Sequence, residues 1–371
     1  MDFSFDDAQQ EAGALARRIL EDTVSEPALR AAEAAGDRFD AATWSALADA
    51  GLLGIGWPEE HGGGGLGLVE QCVVLEQVGR AVAPAPVAAA MSGGGVIARF
   101  GTEAQRARWL PGASTGALLV TAALSEPGNR RLEQPVTTAV EVEGGWRLDG
   151  VKTRVPAGPR ADVFVVSASG PRGPVLALVE PGAQGLTVDP QVVTNRDTDA
   201  RLTIDGVQVG PDDILAADAG EEALGWALQR ATVALCAHQL GVLARALEMT
   251  AEYSKERVQF DVPIATFQAV GHRLADAYID VEGLRLTLWQ AVWLLDEGRS
   301  AATEVEVAKF WAAEAGHRVA HAAVHVHGGT GIDNDYPLHR YFLAAKANEF
   351  ALGGATDQLL RIGASFAASR D

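Results

Sequence analysis

Four stretches of this chain carry side chains whose types and spacing suit the capture of a ligand. ERVQFDVPIATFQ, residues 256–268, offers Arg257 as a fork for phosphate, Phe260 as a stacking face and Gln268 as an amide donor. Taken alone, the same residues also suit an ordinary helix end. HRVAHAAVHVHGG, residues 317–329, sets His317, His321 and His325 at steps of four on one helix face, with His327 nearby. That spacing can hold a metal, yet no carboxylate or cysteine completes the set locally, so no metal is expected. A ligand-facing helix end is preferred, because Gly328 and Gly329 let a bound group approach the backbone. EEHGGGGLGLVE, residues 59–70, has the glycine content of a phosphate cradle. A dinucleotide loop needs a preceding strand; a helix precedes this one, so a plain connecting loop is expected. Arg130 and Arg131 in GNRRLEQ form a local positive pair, for which a solvated turn is the simpler reading.

The elements that must position these residues fall into three blocks. Residues 1–118 are mostly helical in period: DDAQQEAGALARRILEDTV places acids in its first turn, and FDAATWSALADAGLLGIGW is capped by Asp40 and stopped at Gly51. From about 119 to 218 the pattern shifts to short alternating or β-branched runs separated by Gly, Pro and Asp, as in a small sandwich or barrel. Within it, EGGWRLDG reads as a hairpin followed by a second reversal. From 219 to 371 the helical period returns. Val270, Leu274, Ala277, Val281, Leu284, Leu288, Ala291 and Leu295 form the stripe of a long helix in an antiparallel bundle. Two more helices, about 301–326 and 338–351, are joined through HGGTGIDNDYP.

At 371 residues and 38.8 kDa the chain exceeds what a single core usually serves, so two or three domains are expected. The net charge of −19 argues against nucleic acid and anionic membranes. No apolar run reaches the ~18 residues of a membrane span and no signal peptide is visible, so a cytoplasmic protein is expected. Cys72 and Cys236 lie in apolar segments and read as buried free thiols.

In order along the chain, GLLGIGWPEEHGGGGLG, ALSEPG, WRLDGVKTRVPAG, ADVFVV, ERVQFDVPIATFQAVGHRLAD and VHGGTGIDNDYPLHRYFLAAK resemble the landmarks of the flavin-dependent acyl-CoA dehydrogenases. The resemblance covers nearly the whole chain. It implies an α+β, mainly helical fold with an N-terminal helical domain, a middle β domain and a C-terminal four-helix bundle. It also implies FAD held between subunits and α,β-dehydrogenation of an acyl-CoA thioester. In that chemistry a glutamate takes the α-proton, the β-hydride passes to flavin N5, and electrons leave to an electron-transfer flavoprotein. Of the family's flavin contacts, the set donated by a neighbouring subunit is kept here as Arg257, Phe260, Gln268, Gly328 and Gly329. Asp261 replaces the usual glycine after the phenylalanine, and His325 replaces the usual glutamine.

The family's catalytic machinery is where the chain departs. The usual glutamate position falls on Leu352, or on Gly353 with a slip of one, and the alternative seat falls on Ala231, or on Gln229 with a slip of two. None is an acid. The family's Trp-x-Thr over the flavin ring is Arg154, Val155 and Pro156, and proline has no N–H to offer. Ser125 keeps a hydroxyl toward the ring, but the Gly-Ser-Asp beyond it has become NRRLEQ.

The expected protein is therefore a base-lacking subunit of a heteromeric acyl-CoA dehydrogenase, similar to actinobacterial enzymes of steroid side-chain degradation. A paralogous partner would supply the glutamate and ring cradle, with one flavin per heterodimer. In ALGGATDQ, residues 351–358, the glycines permit the turn and the leucine fills the vacated space. Two rivals stand: a homomeric enzyme whose base is Glu349 or Asp357, and a non-catalytic acyl-CoA-binding or scaffold protein.

Overall fold

The computed structural model describes residues 4–368. Six helices come first: α1 (Asp7–Thr23), α2 (Glu26–Ala35), α3 (Ala41–Asp49), α4 (Leu68–Arg80), α5 (Val87–Phe100) and α6 (Glu103–Ser114). Their starts follow capping chemistry. Asp40 accepts the Ala42 and Thr43 N–H groups, and Thr102 with Gln105 forms a reciprocal capping box.

Eight strands follow: β1 (Val120–Ala123), β2 (Thr138–Val142), β3 (Gly145–Val155), β4 (Val163–Gly170), β5 (Gly173–Val179), β6 (Leu186–Val192), β7 (Thr198–Val209) and β8 (Ile214–Leu215). They make one hydrogen-bonded array in the order β6-β7-β3-β2-β4-β5-β8, with β1 on β4. β4 pairs with β1 over Val163–Val166 and with β2 at Ser169, while β5 runs antiparallel along it. Its apolar run is buried on both faces. Phe164, Val166 and Ala168 enter one core, and Val163 and Val165 enter another with Trp57, Val96, Leu110 and Leu224. The hairpin read in EGGWRLDG is present as β2–β3, but the second reversal is not. β3 runs on to Val155, and Asp149–Gly150 absorbs a register shift against β7 instead of turning.

The C-terminal part holds α7 (Gly220–Glu256), a short hairpin of β9 (Val258–Gln259) and β10 (Val262–Pro263), then α8 (Gln268–Asp296), α9 (Ala302–His327), α10 (Leu338–Phe350) and α11 (Ala355–Ala368). The α8 stripe is buried from Ala277 to Leu295, whereas Val270 and Leu274 are only half-buried. Tyr278, Ile279 and Leu286 on α8, and Leu359, Leu360 and Phe366 on α11, are exposed. No helix among the described residues is long and apolar enough to cross a membrane.

Internal contacts sort the chain into two compact units. One comprises residues 1–21, 72–83 and 232–371; the other comprises 22–71 and 84–231. In the first unit α4 and α7 approach through glycine: a Cβ on Gly79 would lie 2.0 Å from the His238 carbonyl oxygen, and one on Gly241 1.9 Å from that of Glu76. Beside this contact Arg80 holds Glu248 by two parallel bonds of 2.9 and 2.8 Å.

Candidate functional site

Beyond α7 the chain reverses through the β9–β10 hairpin, whose two turn residues are Phe260 and Asp261, with φ of 52° and 62°. Two successive left-handed residues match the strand twist, but such a turn favours Asn-Gly. A phenylalanine there works against its backbone preference. Its ring is nevertheless 87% exposed and meets Phe267 edge-on at 6.2 Å. Arg257 precedes the hairpin. Its N–H donates to the Tyr253 carbonyl and its own carbonyl accepts from Ile264, both at 2.8 Å, while the side chain faces solvent. Gln268 opens α8, exposed, with its amide 3.4 Å from the His272 ring.

At the end of α9, Gly328 takes φ 62° and ψ −137°, a backbone region essentially reserved for glycine. A Cβ on Gly328 or Gly329 would meet nothing within 4 Å, so the space over the pair is open. His325 is exposed, but His327 turns inward and is 3% exposed. It stacks on Tyr253 at 4.2 Å, with Nδ1 2.8 Å from the Ala323 carbonyl and Nε2 3.2 Å from the Tyr336 hydroxyl. Burial lowers its pKa, against the pull of the Ala323 carbonyl. Those partners suit a neutral ring donating from Nδ1 and accepting at Nε2. Tyr253 thus serves both features: its carbonyl fixes Arg257 and its ring and hydroxyl fix His327 beside the glycine pair. Sequence reasoning missed this link, whose only trace is a tyrosine four residues before the arginine. His317 and His321 are otherwise engaged. His317 lies 3.4 Å from Glu349 and 3.1 Å from Lys346, and His321 packs edge-on against Phe342.

Between α10 and α11 the backbone turns through Leu352 at φ 57° and Gly353 at φ 99°. The leucine does not merely fill space; it carries half of the left-handed turn itself, which corrects the expectation that the glycines alone permit it. Gln358, 1% exposed, donates to the Leu352 and Gly353 carbonyls at 3.3 Å. Fully buried Lys309 donates to the last carbonyls of α10, Asn348 at 3.2 Å and Glu349 at 3.1 Å, at the negative end of the helix. Burial pulls its pKa down to about 8. The neighbouring acids already have partners. Glu349 pairs with Lys346 at 2.5 Å, and Asp357 accepts the Gly354 N–H at 3.0 Å at the start of α11. Ala231 is half-buried against the core of the other unit.

In the β unit, the Ser125 carbonyl accepts the Thr153 N–H at 3.0 Å. Next to it Glu126 is held by Lys152 at 2.8 Å and by the Val136 and Thr137 N–H groups at 2.6 and 2.7 Å. Burial alone would raise the Glu126 pKa, but these donors outweigh it and bring it to about 2. Asn129 also donates to Glu126, so the NRRLEQ loop folds around this carboxylate and leaves Arg130 and Arg131 exposed. Arg154, with φ 53°, sits at a second register shift between β3 and β7. Its guanidinium bonds Asp199 at 2.9 Å and its N–H bonds Gln191 at 3.0 Å. Pro156 is exposed, and its carbonyl accepts the Thr121 hydroxyl. The glycine-rich loop is a connector: the N–H groups of Gly62, Gly63, Gly64 and Gly65 donate to Glu59, Pro58, Gly54 and Trp57. None of these four is left to cradle a phosphate.

Family models for the acyl-CoA dehydrogenase N-terminal and C-terminal domains match residues 6–117 and 218–367. The acyl-CoA dehydrogenase FadE27 of Mycobacterium tuberculosis is 44% identical over 99% of both chains. A chain of the ChsE4-ChsE5 complex from Mycobacterium tuberculosis superposes with a TM-score of 0.94 at 43% identity, covering 99% of both chains. A chain of the Tcur3481-Tcur3483 steroid ACAD G363A variant gives 0.93 at 45%, covering 98% of both. This chain belongs to the acyl-CoA dehydrogenase family.

Proposed function

We propose that this chain is the base-lacking subunit of a heteromeric acyl-CoA dehydrogenase and donates the far-end contacts of a flavin whose reactive ring is cradled by a paralogous partner. FAD is the cofactor. When bound, it supplies the acceptor for the hydride that leaves the β-carbon.

The residues present fit one end of that cofactor and not the other. Arg257 offers a solvent-facing fork for a pyrophosphate, Phe260 a ring already turned outward, and Gly328 and Gly329 an open floor. Gln268 and His325 stand exposed as further donors. On the other side, Arg154 is bonded to Asp199 and Pro156 can donate nothing. Ser125 alone keeps a hydroxyl there.

The observation that carries the proposal is the Leu352 turn. Both acids near it, Glu349 and Asp357, already hold other groups, so neither is poised to take a proton from substrate carbon. The exposed apolar residues of α8 and α11 suit a partner of similar fold. A steroid side-chain CoA substrate is supported by the steroid assembly among the relatives, and an electron-transfer flavoprotein is the proposed acceptor.

Flavin per polypeptide tests the proposal, measured by absorbance for the chain alone and co-expressed with a paralogue. The expected result is none alone and one FAD per pair of unlike chains. One FAD per lone chain, with turnover abolished by Glu349→Gln, would establish a homomeric enzyme instead.

A further inference from the structure

His61 closes the short 3₁₀ turn Glu59–His61 in the glycine-rich loop and is 5% exposed, yet its Nε2 has no hydrogen-bond partner among the described residues. Two carboxylates flank that nitrogen just beyond hydrogen-bonding reach, Glu103 at 3.6 Å and Glu60 at 3.8 Å. The three ligand atoms lie within 4.8 Å of one another. Glu103 is the first residue of α6, but the capping box of Thr102 and Gln105 already serves that helix start. Its carboxylate is therefore available to face the histidine. A buried ring nitrogen without a partner is costly, and here it points to a group that both carboxylates can share.

We propose that Glu60, His61 and Glu103 form a binding site for a divalent transition-metal cation, with Zn²⁺ the best match. Zinc bonds of about 2.0–2.2 Å to nitrogen and oxygen set neighbouring ligand atoms roughly 3.3 Å apart in a tetrahedron. Reaching that from 3.6 and 3.8 Å takes small movements of two exposed, flexible glutamates. An imidazole with two carboxylates suits Zn²⁺ better than Ca²⁺ or Mg²⁺, which ask for more oxygens. Water would complete the shell. Bound there, the ion clamps the glycine-rich loop to the start of α6, a structural role independent of the flavin.

The test titrates Zn²⁺ into the metal-stripped full chain against a chromophoric chelator, beside Glu60→Gln, Glu103→Gln and the double variant. One Zn²⁺ per chain is expected, weakened at least tenfold by either substitution, with a rise in the thermal midpoint that the double variant lacks. Replacing His61 itself endangers folding, so the exposed glutamates carry the test. No stoichiometric binding, or equal binding by wild type and double variant, overturns the proposal. Equal binding would assign the ion to the general acidity of the surface.

Discussion

Replacing Lys152 with methionine should destabilise the β unit far more than the pair it breaks is worth. The Lys152 ammonium is fully buried, bonded to Glu126 at 2.8 Å and to the Ser167 hydroxyl at 2.9 Å. Glu126 is carried from 4.5 down to about 2, and burial carries Lys152 from 10.5 down to about 8, about 3 kcal/mol each. The signs oppose. The depressed carboxyl stabilises the fold above pH 4.5, and that contribution is lost as pH falls toward 2. The depressed ammonium costs stability below about pH 8, and the cost is relieved as pH rises toward 10.5. Together they come close to cancelling, as buried pairs often do. Lys152→Met removes the cation and leaves a carboxylate whose side chain is 3% exposed. About 3–5 kcal/mol should be lost at pH 7, and less near pH 5, where the stranded carboxyl can take a proton. Lys152→Met/Glu126→Gln should return to within about 1 kcal/mol of wild type. Urea unfolding followed by tryptophan fluorescence at both pH values measures all three. A loss below about 1 kcal/mol in the single variant, or a double variant no more stable than the single, would refute the reasoning. The outcome bears on the site, because the pair joins the segment after β1 that holds Ser125 to β3, which carries Arg154.

Two further outcomes follow. Phe260→Gly removes little burial and relieves a left-handed phenylalanine, so stability should hold or rise by up to about 1 kcal/mol. Flavin retention by the assembled complex, measured by dialysis, should fall several-fold, and unchanged retention would exclude a binding role for the ring. For Lys309, burial places the folded pKa at about 8 against 10.5, so the charged form costs stability below pH 8 and that cost fades as pH rises to 10.5. Relative to Lys309→Met, wild type should therefore gain about 3 kcal/mol across that range in urea unfolding. A pH-independent difference would show that no buried ammonium is present.

Periodicity made the fold legible where one face of an element is buried. The α8 stripe is an example, since burial of Ala277 through Leu295 follows directly from its spacing. It failed where neighbours decide. Asp149–Gly150 has the composition of a turn, but pairing with β7 on one side and β2 on the other carries the strand on through a register shift. The helix after Gly354 was hidden behind the glycine pair. Within the site, Arg257 and the glycine pair were visible as residue types, but the tyrosine linking them was not. Tyr253 reaches His327 across 74 residues of sequence, and no local pattern encodes such a contact. No local pattern marks Lys309 for the same reason: its partners are carbonyls 39 and 40 residues away.

Backbone strain is supported in different ways at three left-handed residues of this chain. Arg154, Phe260 and Leu352 all adopt the left-handed region, at 53°, 52° and 57°. Such residues persist only where their surroundings over-determine them. Around Arg154 the surroundings are internal, with Asp199 on the guanidinium and Gln191 on the N–H. Around Leu352 they are internal too, because Gln358 grips its carbonyl and Lys309 fixes the helix end just before it. Phe260 has a ladder of two residue pairs and one edge contact, and its ring stands in solvent. The backbone at Arg154 and at Leu352 is thus held by bonds within the chain. Phe260 is left strained and outward-facing, as the proposed donor role asks of it. A subunit that kept its donor function while losing its own active site would distribute its strain in this way.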